Sequence, residues 1–113
     1  MTRSAITPKQ NLQWLYVTTA TDADAQKLAR TLVQERLVAC ANILGPVQSM
    51  FWWEGQVQEE SEIAIVFKTQ TERVDQLISR IKTLHSYECP CVVALDVKNG
   101  NQQYLNWIIK ETT

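Results

Sequence analysis

One stretch, Ala39 to Thr69, constrains this chain more than any other. An extended arm runs from Ala39 to Trp53, a turn at Glu54-Gly55 follows, and a second arm returns from Gln56 to Thr69. Two extended arms around one turn are the signature of a β-hairpin. Each arm has roughly 14 residues, about 45 Å at the usual rise per residue, against about 5–6 residues for a typical strand. Half of such a hairpin overhangs any sheet that the rest of the chain can build. The tip, Met50-Phe51-Trp52-Trp53, carries two of the four tryptophans. An overhanging ribbon with an aromatic end needs a second chain or a bound surface to cover it. Trp52 and Trp53 therefore read as interface anchors, because large aromatics supply contact area at modest entropic cost. Stacking on a nucleobase is the competing reading, and it lacks the basic charge that nucleic-acid binders carry. Gly45-Pro46 falls mid-arm, where a bulge or bend is expected, since proline cannot donate to a ladder.

The remaining pattern alternates strands and helices. Leu12 to Thr19 reads as an interior strand, with Trp14, Tyr16 and Thr18 on one face and Leu15 and Val17 on the other. Thr21 is a good N-cap for a helix that opens on Asp22 and Asp24. Ala25, Leu28, Ala29, Leu32 and Val33 form its apolar stripe. Leu37 to Leu44 restarts as strand and enters the hairpin. The returning arm sets Ile63, Ile65 and Phe67 on one face and Glu62, Ala64, Val66 and Lys68 on the other. Thr71 to Leu84 reads as a second helix capped by Thr71, with Val74, Leu77, Ile78, Ile81 and Leu84 buried. Pro90 bars its continuation. Cys91 to Val97 is a short strand, Asn99-Gly100 a turn, and Gln102 to Lys110 a terminal helix presenting Tyr104, Leu105 and Ile108. The order β-α-β-β-α-β predicts an α+β, ferredoxin-like sandwich with a long β2–β3 hairpin and an added C-terminal helix. Right-handed crossovers put both long helices on one face of the sheet. The Ala64–Val66 face is too apolar to be left wet, which with the hairpin argues for a homo-oligomer.

Length and charge narrow the function. The chain has 113 residues, one domain's worth, read as a flexible lead over 1–11 and a single domain over 12–113. Its net charge of -1 gives no electrostatic footprint for nucleic acid. No apolar run reaches the ~20 residues that span a bilayer. Three cysteines cannot close into a full set of internal disulfides, which fits a reducing, cytoplasmic setting. One histidine and no activated nucleophile leave little for an enzyme to work with.

Five runs share a pattern: Ala39-Cys40-Ala41-Asn42-Ile43, Phe51-Trp52-Trp53-Glu54-Gly55, Glu62 to Thr69, His85-Ser86-Tyr87-Glu88-Cys89-Pro90, and Tyr104-Leu105-Asn106-Trp107-Ile108. In order and spacing they resemble the CutA divalent-cation tolerance family, over roughly Leu12 to Ile109. The resemblance implies a ferredoxin-like fold, a very stable homotrimer, a cytoplasmic setting and kinship with PII-type signalling trimers. It implies a role in tolerance of metal ions such as copper, and no enzymatic reaction. The alternative is a PII-like signalling or scaffold trimer that binds a small metabolite or an unknown protein partner.

Two sets of residues could carry chemistry. Cys89 and Cys91 flank Pro90, with His85 and Glu88 close by. Residues i and i+2 on a strand point the same way, and two thiolates plus an imidazole suit Cu(I) or Zn(II). The bland reading is a pair of free cysteines beside a turn. The resemblance implies a copper ligand at His85, but the companion positions hold Leu84 and Thr18, Ser86 replaces a proline, and Cys91 lies where a glutamate is usual. His85 reads equally as a polar cap or interface residue. The second set is Glu62, Lys68 and Tyr87, which the resemblance places near intersubunit clefts. A carboxylate, an ammonium and a phenol there could hold an ion or a small anionic metabolite, or form an intersubunit ion pair. Cys40 reads as an inert buried thiol, with a metal or redox role as the alternative.

Overall fold

The computed structural model describes residues 11–113. The expected flexible lead lies outside the described residues except for Asn11, whose carbonyl accepts a hydrogen bond from the Thr71 amide at 2.8 Å. Four strands form one antiparallel sheet in the order β2-β3-β1-β4. They are β1 (Leu12–Thr19), β2 (Cys40–Trp53), β3 (Gln56–Gln70) and β4 (Val92–Val97), joined with helices α1 (Asp22–Gln34), α2 (Val74–Leu84) and α3 (Gln102–Glu111). This is the ferredoxin-like topology with the long hairpin and terminal helix.

Local chemistry explains most boundaries. The Thr21 side chain accepts from the Asp24 amide at 3.1 Å and caps α1, satisfying one of the donors that a helix start leaves open. Strand β2 begins at Cys40 rather than Leu37. Leu37 and Val38 are buried instead in the loop after α1, which Arg36 enters with a φ of 60°. Helix α2 departs from expectation too. Thr71 to Arg73 forms a single tighter turn, α2 starts at Val74, and no side chain caps either.

Both long helices cover the same face of the sheet. Leu15, Val17, Ile65 and Phe67 from the strands pack with Ala25, Leu28, Leu32, Val74, Leu77 and Ile81 from the helices. Val33 does not join them and is 40% exposed. The opposite face is covered at one end only, by α3. There Leu12, Ile108 and Thr112 are buried, and the Gln70 amide nitrogen donates to Thr112 O at 3.1 Å and Oγ1 at 2.9 Å. Ala64 and Val66, expected to need a partner chain, are already buried within the subunit. Trp14, Val93 and Leu95 are exposed apolar groups of this face.

The hairpin overhangs as expected. Strand β1 pairs only with Ile63–Gln70 of β3, so Gln56–Glu62 pairs with β2 alone. The molecule measures 57 × 28 × 22 Å as a result. Glu54 and Gly55 both have positive φ, 51° and 80°, the two-residue turn that matches strand twist. The mid-arm irregularity sits between Ile43 and Gly45, with Gly45 at φ 112° and Leu44 bulged out. Pro46 is tolerated because β2 is an edge strand. Trp52 is 74% and Trp53 48% exposed.

Candidate functional site

The loop between α2 and β4 folds back onto the end of β1. His85 ends α2, and its amide closes the helix on Ile81 O at 2.8 Å. The Tyr87 amide donates to His85 Nδ1 at 3.0 Å. That bond makes Nδ1 the acceptor and leaves the proton on Nε2, which donates to the Thr18 carbonyl at 2.7 Å. Both ring nitrogens are thus spent on the protein, and a metal ion could take one only by displacing its partner. The imidazole pins the loop to β1 and packs on the Tyr87 ring, with centroids 4.7 Å apart.

Tyr87 then reaches β3. Its hydroxyl donates to Glu62 Oε2 at 2.9 Å. Glu62 is buried, and its hydrogen-bond donor among the described residues is this phenol alone. A buried carboxylate normally gathers several donors or a cation. Burial raises the Tyr87 pKa well above the ordinary tyrosine value, helped by the hydrogen bond to Glu62 and by the charges of Glu62, Glu60 and Asp24. The surroundings of Tyr87 are therefore electronegative.

Lys68 does not join this group within one subunit. It lies six positions along the same strand, about 20 Å away at the usual rise. There it donates to the Tyr104 hydroxyl at 3.3 Å and stands 5.3 Å from the Trp14 ring centroid and 5.4 Å from that of Tyr104. Sequence reasoning placed Glu62 and Lys68 on one face, which holds, but strand length separates them. Lys68 therefore supplies no cation to the Glu62–Tyr87 end of its own subunit.

Cys91 lies one step before the first β4 pair, Val92↔Val17. It is exposed at the surface. Partial burial of its sulfur raises the thiol pKa, the Thr18 side-chain hydrogen bond opposes this, and the Glu62 charge adds to it. Cys89 is exposed as well, and Cys40 is half-buried rather than buried. The Cys40 thiol lies 3.6 Å from Asn42 Oδ1. Among the described residues, no three His, Cys, Asp or Glu side chains converge as a metal group. Sequence reasoning set Thr18 only at a companion position of the copper site that the resemblance implies; the structure uses its carbonyl to hold His85.

On the α1 side of His85 lies a cavity of about 120 Å³ lined by Thr19, Asp24, Lys27, Thr31 and Ser86 among others. Pockets for drug-sized ligands usually hold about 300–1,000 Å³.

The family described as CutA1 divalent ion tolerance protein matches residues 13–111. The chain belongs to the CutA divalent-cation tolerance family. It is 40% identical over 98 residues to the divalent-cation tolerance protein CutA of Pyrococcus horikoshii, covering 87% of this chain and 95% of that protein. A longer CutA relative, the chloroplastic protein of Oryza sativa, is 38% identical, and the match spans 55% of its length. Among solved CutA structures, the Thermus thermophilus protein superposes with a TM-score of 0.88 at 36% identity, covering 90% of this chain and 99% of that one. The Oryza sativa CutA1 structure gives a TM-score of 0.89 at 36% identity, covering 92% and 95%.

Proposed function

We propose that this CutA-family chain acts as a homotrimer in metal-ion tolerance, binding divalent cations such as copper at clefts between subunits. The observation that carries the cleft is the buried Glu62 carboxylate, which has one phenolic donor and acidic neighbours. A divalent cation is the partner that such a carboxylate lacks. One subunit offers no three-ligand group among its described residues, so the remaining ligands come from a neighbouring subunit or from water. The assembly draws on the uncovered ribbon and on Trp14, Val93 and Leu95.

The PII-like alternative, a trimer that binds a metabolite or partner protein, draws on topology and on the exposed ribbon. The electronegative Tyr87 end disfavours an anionic metabolite within one subunit. The free thiols suit a cytoplasmic setting.

Light scattering and calorimetry test the proposal together. The expected mass is three times the 13.0 kDa chain. Titration with Zn(II) and Cu(II) should show binding that Glu62→Gln weakens about tenfold or more, the order expected for loss of a group that holds a metal or its ligands. A monomeric mass defeats the assembly. Unchanged binding in Glu62→Gln defeats the cleft.

A further inference from the structure

The turn between β4 and α3 holds Asn99-Gly100, a pair that the divalent cleft does not use. Both residues lie outside the flanking elements, after Val97 and before Gln102, and both are exposed. The β1–β4 ladder ends at Leu12↔Val97, so the Gly100 amide is free of it. That amide donates instead to Asn99 Oδ1, at 3.1 Å and in solvent. The bond folds the Asn99 carboxamide back over the peptide that follows it. The carboxamide carbon is one bond from Oδ1, about 1.23 Å, so it stands beside the Gly100 nitrogen. Closing that contact makes a five-membered ring. Groups already held against each other need little further ordering to react, which is the advantage of near-attack geometry.

The chain has five asparagines, and the other four are placed differently. Asn42 lies in β2 opposite Val66, and the branched Ile43 follows it. Asn106 lies within α3, with Trp107 after it. Asn101 caps α3 and accepts from the Gln103 amide at 3.0 Å. Asn11 precedes the buried Leu12. Asn99 alone is followed by a glycine, whose nitrogen has no Cβ beside it to hinder approach. We propose that Asn99 is a self-modification site, at which the Gly100 amide nitrogen displaces the side-chain ammonia and converts the asparagine to aspartate and isoaspartate.

The step balances with water as the one co-reactant. A solvent base takes the proton from the Gly100 nitrogen, which then attacks Asn99 Cγ. The new N–C bond forms, the C–N bond of the carboxamide breaks, and ammonia leaves with a proton from solvent. Water then opens the cyclic imide at either carbonyl. One opening gives aspartate in the normal chain. The other gives isoaspartate, whose backbone runs through the side chain and is one methylene longer. The net change is asparagine plus water to the acid plus ammonia, with no change of oxidation state. The new negative charge lies two positions before the Asn101 cap, at the positive end of the α3 dipole. The aspartate form therefore keeps α3 in place, and the isoaspartate form lengthens its link to β4. The site uses neither Glu62 nor the assembly.

The test incubates the full chain in warm, mildly alkaline buffer and reads every asparagine by peptide mass spectrometry. Asn99 should convert to a mixture of aspartate and isoaspartate, faster as pH rises, while the other four asparagines stay intact. Asn99→Gln, whose closure needs a six-membered ring, should lose the conversion at this position. Gly100→Ala should slow it several-fold. The added Cβ would meet the flexible end of Leu105, with Cδ2 at 3.2 Å, so the chain still folds. The same reading on chains unfolded in urea separates the fold from the dipeptide. Because the turn already holds the two groups in contact, the folded chain should react at least as fast as the unfolded one. Clearly slower conversion in the folded chain overturns the site. So does aspartate without isoaspartate, or conversion of another asparagine ahead of Asn99.

Discussion

The two halves of the β2–β3 hairpin share one ladder and differ in everything else. From Glu62 to Gln70, β3 is buried at all but two positions, and its residues pack against the helices on one face and beneath α3 on the other. From Gln56 to Ser61 it is open, as is β2 from Met50 to Trp53. Backbone pairing nonetheless continues unbroken from the bulge to Trp53↔Gln56. Hydrogen bonds therefore define the shape of the ribbon in both halves, and side-chain burial stabilises only one. An isolated two-stranded ribbon is marginal in water, so the outer half gains little stability from its own subunit, and the proposed assembly would cover it.

The largest effect should come from the covered half. Phe67 is fully buried between sheet and helices, and Phe67→Ala should cost about 3–5 kcal/mol in urea unfolding. Trp52→Ala in the outer half should leave the fold of the single chain intact. It should weaken assembly by about 2 kcal/mol or more, as an interface anchor does, seen as concentration-dependent dissociation in sedimentation. If Trp52→Ala unfolds dilute chains as severely as Phe67→Ala, the two halves are not separate in energy.

Tyr87→Phe tests the junction between the halves. It strips the buried Glu62 of its phenolic donor and should cost about 1–3 kcal/mol. The pH dependence has a definite sign. The folded-state pKa of Tyr87 is raised above its unfolded value, so its contribution is full below about pH 10 and is lost as pH rises toward the folded pKa. Wild type should lose stability above about pH 10 by a margin that Tyr87→Phe does not show. Equal alkaline profiles would mean that the phenol is not held as described.

Much of this architecture is legible in the residues. The alternation of Leu15 and Val17 against Trp14 and Tyr16, the Thr21 cap and the Glu54-Gly55 turn are local signals, and local signals survive folding. Thr71 does not cap α2 because it lies inside the tight turn Thr71–Arg73, with its amide on the Asn11 carbonyl. Ala64 and Val66 were expected to need a partner because alternation tells which face a side chain takes, not how far its neighbours spread over it. The site was half legible. Spacing set His85 and Tyr87 after the second helix and Cys91 at the start of the next strand, but which atoms His85 spends on Thr18 and Tyr87 depends on contacts 67 positions apart in one case and two in the other. Glu62 and Lys68 share a face, and periodicity carries no measure of the distance that separates them.

The smallest expected effect lies on the outside of the helix layer, and it sharpens the same comparison. Arg80 meets Glu35 through two hydrogen bonds, at 2.9 and 2.7 Å, linking α2 to the end of α1. The geometry is bidentate, the strongest form of such a pair, yet both side chains are in solvent, where water and salt screen the attraction. The Arg80 hydrogen bond holds the Glu35 carboxyl below its usual value. A depressed carboxylate contributes stability above its unfolded pKa and loses it as pH falls through the folded one. Glu35→Gln should therefore lower the urea midpoint slightly at neutral pH, and the gap should close in acid below the carboxylate range and in high salt. Packing of Leu32, Leu77 and Ile81 beneath the pair should hold the helices in place without it. If Glu35→Gln instead destabilised the chain as much as Phe67→Ala, the covered half would owe its stability to surface charge, and burial would no longer distinguish it from the open ribbon.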